Sequence, residues 1–382
     1  MIYKKIANFV ESKCCTLLGI GPMSKNCVDA VIDLANENDA PLILIASRRQ
    51  IDSEEFGGGY VNNWTTIKYA EYVRSKNFKK NIILARDHGG PWQNDVEVKN
   101  NLSLKDAMAS AKRSYKNDID AGFQILHIDP SIDLHESPNV DRVLERVYEL
   151  YDYCYSYAKK NNKDIIFEIG TEEQSGSTNT QEELEYTLAS MKEFCKKNKF
   201  PFPSFVVIQA GTRVMETRNI GSFDSPIRVE NEIPPEIQLP KMISICNKYG
   251  IYMKEHNTDY LSNDALNWHP KLGIHSANVA PEFGVAETKE LIDILKSNNL
   301  NDLAEEFIKL SFSSDKWKKW MLSDGLATDQ DKAIIAGHYI FSQKQFIELK
   351  LEASKKITNL DLLLKEAVRK SILRYTKAFR LH

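Results

Sequence analysis

The sequence predicts an α/β protein: a (β/α)8 TIM barrel over residues 1–298 that carries the active site, then an α-helical extension packed on it over 299–382. Three observations predict this. First, eight short apolar runs bounded by Gly, Pro or polar clusters fall before residue 282. They are rich in Ile, Val, Leu and Phe and alternate poorly, as strands buried on both faces do. Second, a segment of helical periodicity follows each run, and such alternation implies right-handed βαβ crossovers. Eight units in about 280 residues match the barrel in count and length. Third, Gly19-Ile20-Gly21-Pro22 lacks the third glycine of a phosphate fingerprint and puts proline where a helix should open. That argues against a doubly wound open sheet.

In order, the strands are expected at 16–21, 41–47, 81–88, 124–129, 164–170, 204–211, 251–257 and 271–280. The helices between them are expected at 24–38, 64–75, 103–117, 140–160, 180–198, 235–249, 259–268 and 283–297. Cys27, Val31, Ile32 and Leu34 make an apolar stripe on the first helix. Ser103 with Asp106 reads as an N-cap followed by an acid in the first turn. From residue 299 the alternation stops and helical segments remain, at 303–312, 314–322, 330–341 and 360–379. No Pro/Gly/Ser-rich linker precedes them, so the extension is not expected to be an independent domain.

Composition excludes several classes. The 382 residues are 42% hydrophobic and 27% charged with a net charge of −3, which leaves no footprint for nucleic acid or an anionic membrane. No apolar run approaches the ~20 residues of a membrane span. The N-terminus is amphipathic but lacks a small-residue cleavage site, so no signal peptide is expected. The six cysteines form no Cys-x-x-Cys pair, which fits reduced thiols in a cytoplasmic protein.

The most informative stretch is 82–92, Ile-Ile-Leu-Ala-Arg-Asp-His-Gly-Gly-Pro-Trp, an apolar strand that ends in an acid and an imidazole. Seven successive strands deliver polar groups to the same rim, and active sites in these barrels lie at that C-terminal face. His88, Glu168 and His256, from the third, fifth and seventh strands, can converge on one divalent cation such as Zn2+ or Mn2+, with Gln209 a further candidate ligand. The same residues could instead form a hydrogen-bonded network without a metal. Asp87, next to His88 and so expected to point a different way, is a candidate proton carrier, as are Glu172 and Asp259. Asp129 reads as an orienting carboxylate or a substrate contact, and His127, two before it, faces the same side. Gln50, Gly59, Arg213, His275, Ser276 and Asn278 are candidate substrate contacts, with Arg213 and the start of the last barrel helix able to hold a phosphate. Lys254 precedes Glu255-His256 and is expected to turn outward, which disfavours a Schiff base.

Together, Gln50 through Gly58-Gly59-Tyr60, Asp87-His88-Gly89-Gly90-Pro91-Trp92-Gln93-Asn94, Ala121-Gly122-Phe123 with His127-Ile128-Asp129, Ile169-Gly170-Thr171-Glu172 and Glu255-His256-Asn257-Thr258-Asp259-Tyr260 carry a resemblance. The chain resembles the class II D-tagatose-bisphosphate aldolase non-catalytic subunit family, the accessory subunits of galactitol and N-acetylgalactosamine catabolism and related ketose-phosphate epimerases. That family is similar in turn to zinc-dependent class II aldolases. The resemblance implies a proton-transfer role for Asp87 and metal ligation by His88, Glu168 and His256. Gln209 stands about where those aldolases keep another histidine. Two departures, Ala46-Ser47-Arg48 and His275-Ser276-Ala277-Asn278, imply a shifted substrate.

The expectation is a metal-dependent carbohydrate enzyme acting on a ketose or ketose phosphate through an enediolate or retro-aldol step, as a 4-epimerase or an aldolase-like lyase. The alternative is a non-catalytic subunit that stabilises a separate class II aldolase. Expected partners are a sugar or sugar phosphate, a class II aldolase catalytic subunit on the second reading, and a further copy of the chain if it is a homo-oligomer.

Overall fold

The computed structural model describes residues 1–170, 180–220, 235–323 and 325–382. Eight strands close into a barrel: β1 (Leu17–Ile20), β2 (Leu42–Ser47), β3 (Ile82–Gly89), β4 (Ile125–Ile128), β5 (Ile166–Ile169), β6 (Phe205–Ile208), β7 (Tyr252–Glu255) and β8 (Ser276–Val279). Every neighbouring pair is parallel, and β8 returns to β1 with Leu17 opposite Ser276. Most strands are only four residues long and buried throughout. A helix ring outside and packed side chains inside leave neither strand face to solvent, which is why the apolar runs alternate so poorly.

The helices are α1 (Ile2–Lys13), α2 (Lys25–Glu37), α3 (Thr66–Lys76), α4 (Asp95–Lys99), α5 (Leu104–Ala121), α6 (Val140–Lys160), α7 (Gln181–Asn198), α8 (Pro235–Tyr249), α9 (Asn263–Leu272) and α10 (Pro281–Ser297). Side-chain caps set where most of them begin. Ser24, Thr65, Ser103, Asn139 and Ser262 each accept a backbone N–H from the first turn. The amphipathic N-terminus folds as α1. Its Ile2, Ile6 and Val10 are buried, and Lys5 donates to the Lys80 carbonyl just ahead of β3, which lays α1 across the N-terminal end of the barrel. Among the described residues no helix is long and apolar enough to cross a membrane.

Beyond the barrel come α11 (Asn301–Ser313), α12 (Asp329–Ala336), α13 (Lys344–Lys356) and α14 (Leu360–Ala378). Phe307, Ile340, Phe346 and Leu349 build a second apolar core on Leu291 and Leu295 of α10. Helix α14 then turns back, and its Val368, Ile372 and Tyr375 join the main core. Part of the expected 314–322 helix is only a 3-10 turn at Lys318–Trp320.

Two boundaries differ with consequences for the site. The eighth strand was expected from residue 271, but α9 runs to Leu272 and ends on Gly273, whose φ of 85° is the left-handed stop glycine permits. The last strand therefore begins only at Ser276. His269, expected in a loop, lies in α9 and pairs with Glu255 at 2.5 Å behind the barrel wall.

Candidate active site

Strand β3 sets the site. Its pairing with β4 shifts register between Arg86 and Gly89, and His88 takes a φ of 45°. That is a bulge, with a non-glycine residue held in the left-handed region at some cost in strain. Its effect overturns one expectation: two consecutive side chains, Asp87 and His88, both line the cavity at the C-terminal end of the barrel. Strict alternation would have sent them to opposite faces.

Behind them four donor atoms converge. His256 Nε2 lies 3.1 Å from Glu168 Oε1, and His127 Nδ1 lies 3.7 Å from the same oxygen. Asp87 Oδ1 lies 3.8 Å from His127 Nδ1 and 3.9 Å from His256 Nε2. Ligands about 2.0–2.1 Å from a tetrahedral Zn2+ stand roughly 3.3–3.4 Å apart. The donor set and spacing fit a divalent cation after small adjustments. The backbone N–H of His88, now 3.2 Å from His127 Nδ1, would have to release that lone pair. His88 itself, expected with Glu168 and His256, stands outside this four-residue group. Its ring is 5.1 Å from that of His256 and 5.3 Å from that of His127. Its Nδ1 is 2.7 Å from Asp129 Oδ2, so Asp129 holds the imidazole rather than facing substrate.

His127 is the residue sequence reasoning left without a role. It sits directly opposite Glu168 across β4 and β5, a register one sequence does not reveal. Gly170 has room only for hydrogen at this point, since a Cβ there would lie 2.7 Å from His127 Nε2.

A lysine also enters the barrel. Lys254 was expected to turn outward, but its Nζ is 2.6 Å from Glu168 Oε2, with both side chains almost wholly buried. Alternation along β7 explains it: Lys254 and His256 face in, and Glu255 faces out to Thr212 and His269.

The charges reinforce one another. Burial pushes the Asp87 carboxyl up, but His88, His127 and His256 outweigh it and hold the group well below the carboxylate range. Burial likewise raises Glu168, and Lys254 and the two imidazoles bring it down to about 2. Burial lowers His88, yet Asp87 and Asp129 raise it to about 9. His256 is held below the ordinary imidazole value, by burial first.

The remaining expected residues divide. Gln50, Asp259 and Asn278 line the cavity. Asn278 donates to Asp87 Oδ1 at 3.2 Å. Asp259 accepts N–H bonds from Ala280 and Glu282 at the start of α10, and burial with Glu282 nearby raises it to about 7. Gly59 packs its Cα against the Gln50 carbonyl and borders a neighbouring groove. Gln209 is buried just past β6. Arg213 is exposed and is not among the cavity-lining residues. His275 and Ser276 fall at the wrong end of β8: the His275 ring packs against Tyr252, tilted by 38° with centroids 4.6 Å apart, and accepts from the Met253 N–H at 3.2 Å. Their expected substrate contact is corrected by the late start of that strand. Of the two departures, Ser47 lines the cavity, but Arg48 is buried against Asp52 at 3.0 Å and Glu97 at 2.6 Å. Glu172 lies outside the described residues.

A closed parallel barrel with carboxylates and imidazoles gathered at its C-terminal rim has the build of a barrel enzyme. Residues 6–294 match the family model described as D-tagatose-1,6-bisphosphate aldolase subunit GatZ/KbaZ-like, and the chain belongs to that family. Its fold is similar to that of a probable tagatose 6 phosphate kinase from Sinorhizobium meliloti 1021, at 18% identity and a TM-score of 0.72 over 95% of this chain and 100% of that one. It is also similar to the fructuronate-tagaturonate epimerase UxaE from Cohnella laeviribosi, at 10% identity and a TM-score of 0.61 over 97% and 82%. The YdjI aldolase from Escherichia coli K12 matches at 13% identity and a TM-score of 0.53 over 99% and 96%. At these identities the likeness concerns the fold.

Proposed function

We propose that this chain is a metal-dependent enzyme acting on a ketose or ketose phosphate, as a 4-epimerase or an aldolase. The observation that carries the reading is the convergence of His127, Glu168 and His256 behind a cavity-facing Asp87. Asp87 completes the four-residue group but faces the cavity. With Asp87 serving as proton carrier, the other three donors leave one position open, the arrangement of catalytic rather than structural metal sites. A divalent cation held by those three residues would supply Lewis-acid polarisation of a ketose carbonyl.

The chain's own residues do the rest. The Asp87 side chain is 12% exposed, on the cavity side of nearly buried His127, Glu168 and His256, so substrate meets it before them. The three imidazoles hold it ionised and the Asn278 amide orients it, so it is placed to carry a proton to or from carbon, with its low pKa limiting its strength as a base. His88 is 30% exposed, and Asp129 fixes its Nδ1, leaving Nε2 on the cavity side to hold or return a proton. Asp259, committed to the start of α10, is a positioning group. Gln209, where class II aldolases keep a histidine, favours epimerisation.

The test is metal analysis of purified protein, then NMR of ketoses and ketose phosphates in D2O. Deuterium incorporation without cleavage indicates epimerisation by proton abstraction, an epimer without deuterium indicates a retro-aldol epimerase, and triose release indicates an aldolase. Protein without metal and without turnover overturns the proposal.

One observation favours a second reading. Lys254 gives Glu168 a counter-charge from within the chain, so the cluster does not need an ion to be neutralised. A silent subunit that stabilises a separate class II aldolase, as the family description allows, requires no more. It predicts that His88→Ala leaves the stabilised aldolase's activity intact.

A further inference from the structure

The outer wall of the cavity does not come from the barrel. Lys319, Trp320 and Tyr339, all beyond residue 298, line the same cavity of about 260 Å³ as Asp87 and His88. Opposite them stand Arg49 and Tyr60, which follow β2. A second cavity of about 430 Å³ opens alongside and shares Arg49, Tyr60, Lys319 and Tyr339, so these four form a neck between the two. The wall is anchored rather than loosely laid over the barrel. The Tyr60 and Tyr339 rings lie 4.8 Å apart, the Ser342 hydroxyl donates to the Tyr60 carbonyl, and the Glu216 N–H donates to the Trp320 carbonyl at 2.7 Å.

This neck carries surplus positive charge. Arg49 and Lys316 share one acid, Asp95, at 2.7 and 3.6 Å. Lys319 has no ion-pair partner among the described residues, and its ammonium rests 4.6 Å from the Trp320 ring and 5.5 Å from the Tyr339 ring. A surface lysine is ordinarily solvated and free. This one is held by two ring faces at the mouth of a cavity whose floor is acidic and imidazole-rich. Lys318, its neighbour, pairs with Asp315 at 2.6 Å and does not line the cavity.

We propose that Lys319 and Arg49 form an anion subsite for the terminal phosphate or carboxylate of the ketose, so that the helical extension reads the far end of the substrate. The placement of the reacting end against Asp87 and His88 rests on the function proposed above, whereas the subsite itself does not depend on a metal. Arg49 and Lys319 both line the neck together with Tyr60 and Tyr339, and two cations there select a chain-terminal anion over a neutral sugar.

Calorimetric titration tests this on the full chain with dihydroxyacetone phosphate, glycerate and neutral dihydroxyacetone as probes. The wild-type protein is expected to bind an anionic probe more tightly than the neutral one, and the better of the two identifies phosphate or carboxylate as the source of the anion. Lys319→Met should weaken that binding roughly 10-fold or more, Lys319→Arg should retain most of it, and Lys318→Met should leave it unchanged. Thermal melts of the variants separate lost binding from lost folding. No preference for the anionic probe, or equal binding by a folded Lys319→Met, overturns the subsite. Anion binding by the chelated, metal-free protein is expected to persist, and its loss there with the fold intact overturns the subsite. The metal reading is tested by metal analysis alone, so the two fail separately.

Discussion

Lys254 Nζ stands 2.6 Å from Glu168 Oε2 inside the barrel, with the two side chains 2% and 1% exposed. Neither charge has water to fall back on, so each depends on the other. Removing one partner of a buried pair costs about 3–5 kcal/mol, chiefly because the survivor is left uncompensated. Lys254→Met is therefore expected to lower stability to urea by that order. The double variant Lys254→Met/Glu168→Gln should recover a substantial part of the loss, since it buries no net charge. A cost under about 1 kcal/mol for Lys254→Met would show that the pair is not what keeps Glu168 buried.

The same lysine shows where the sequence could and could not be read. Barrel strands are legible because burial on both faces leaves continuous apolar runs, and all eight appear near their expected places. An inward-facing His256 requires Lys254 to face inward too, because alternation along β7 treats them alike, so this placement is legible in the sequence. His127 is different. Its partnership with Glu168 depends on the β4–β5 register, which no local pattern encodes. The bulge that turns both Asp87 and His88 inward rests on a positive φ at a histidine, which sequence does not announce. His275 was misplaced because a boundary error of a few residues at a strand start moves a side chain from one end of a barrel to the other.

Gly19 faces Asn278 across β1 and β8, and a Cβ at position 19 would lie 2.2 Å from Asn278 Oδ1. The amide that orients Asp87 can approach only because Gly19 has no side chain. Gly19→Ala should push Asn278 off Asp87 and cost on the order of 1–3 kcal/mol by overpacking. In an Asn278→Ala background the main clash is gone and only Ile45 Cγ2, 3.2 Å from the added methyl, must yield, so most of that cost should vanish. A double-mutant cycle in urea checks this, and additivity within about 0.5 kcal/mol would contradict the steric link.

Asp259 gives the protein a pH dependence of definite sign. Its folded value is about 7, above the 3.8 of an ordinary aspartate, because of burial and the nearby Glu282. Below the unfolded value both states hold the proton and no penalty exists. Between that value and about 7 the unfolded chain releases the proton while the folded chain keeps it, so stability falls as pH rises. Asp259→Asn keeps an oxygen to accept from the Ala280 and Glu282 N–H groups but cannot ionise. Between pH 5 and pH 8 the wild type should lose on the order of 1–3 kcal/mol more than this variant. Parallel stability profiles for the two proteins would rule the effect out.

The proposed division of labour between His127 and His88 makes opposite predictions for two neighbouring imidazoles, whose ring centroids are 5.3 Å apart. His127 belongs to the group that includes Glu168 and His256 and also to a second cluster with His88 and Asp129, whereas His88 joins only that second cluster, on the cavity side. His127→Ala should reduce divalent-metal affinity at least as far as loss of an orienting partner does elsewhere, about 10–100-fold, in step with Glu168→Gln and His256→Ala. His88→Ala should keep most of the metal and lose solvent deuterium exchange into a ketose instead, because it removes a proton carrier and not a ligand. Metal titration by calorimetry and exchange by NMR on the same preparations separate the two roles. Metal lost from His88→Ala but kept by His127→Ala would reverse the assignment, restoring the ligand set that the motif at residues 87–88 suggests on its own.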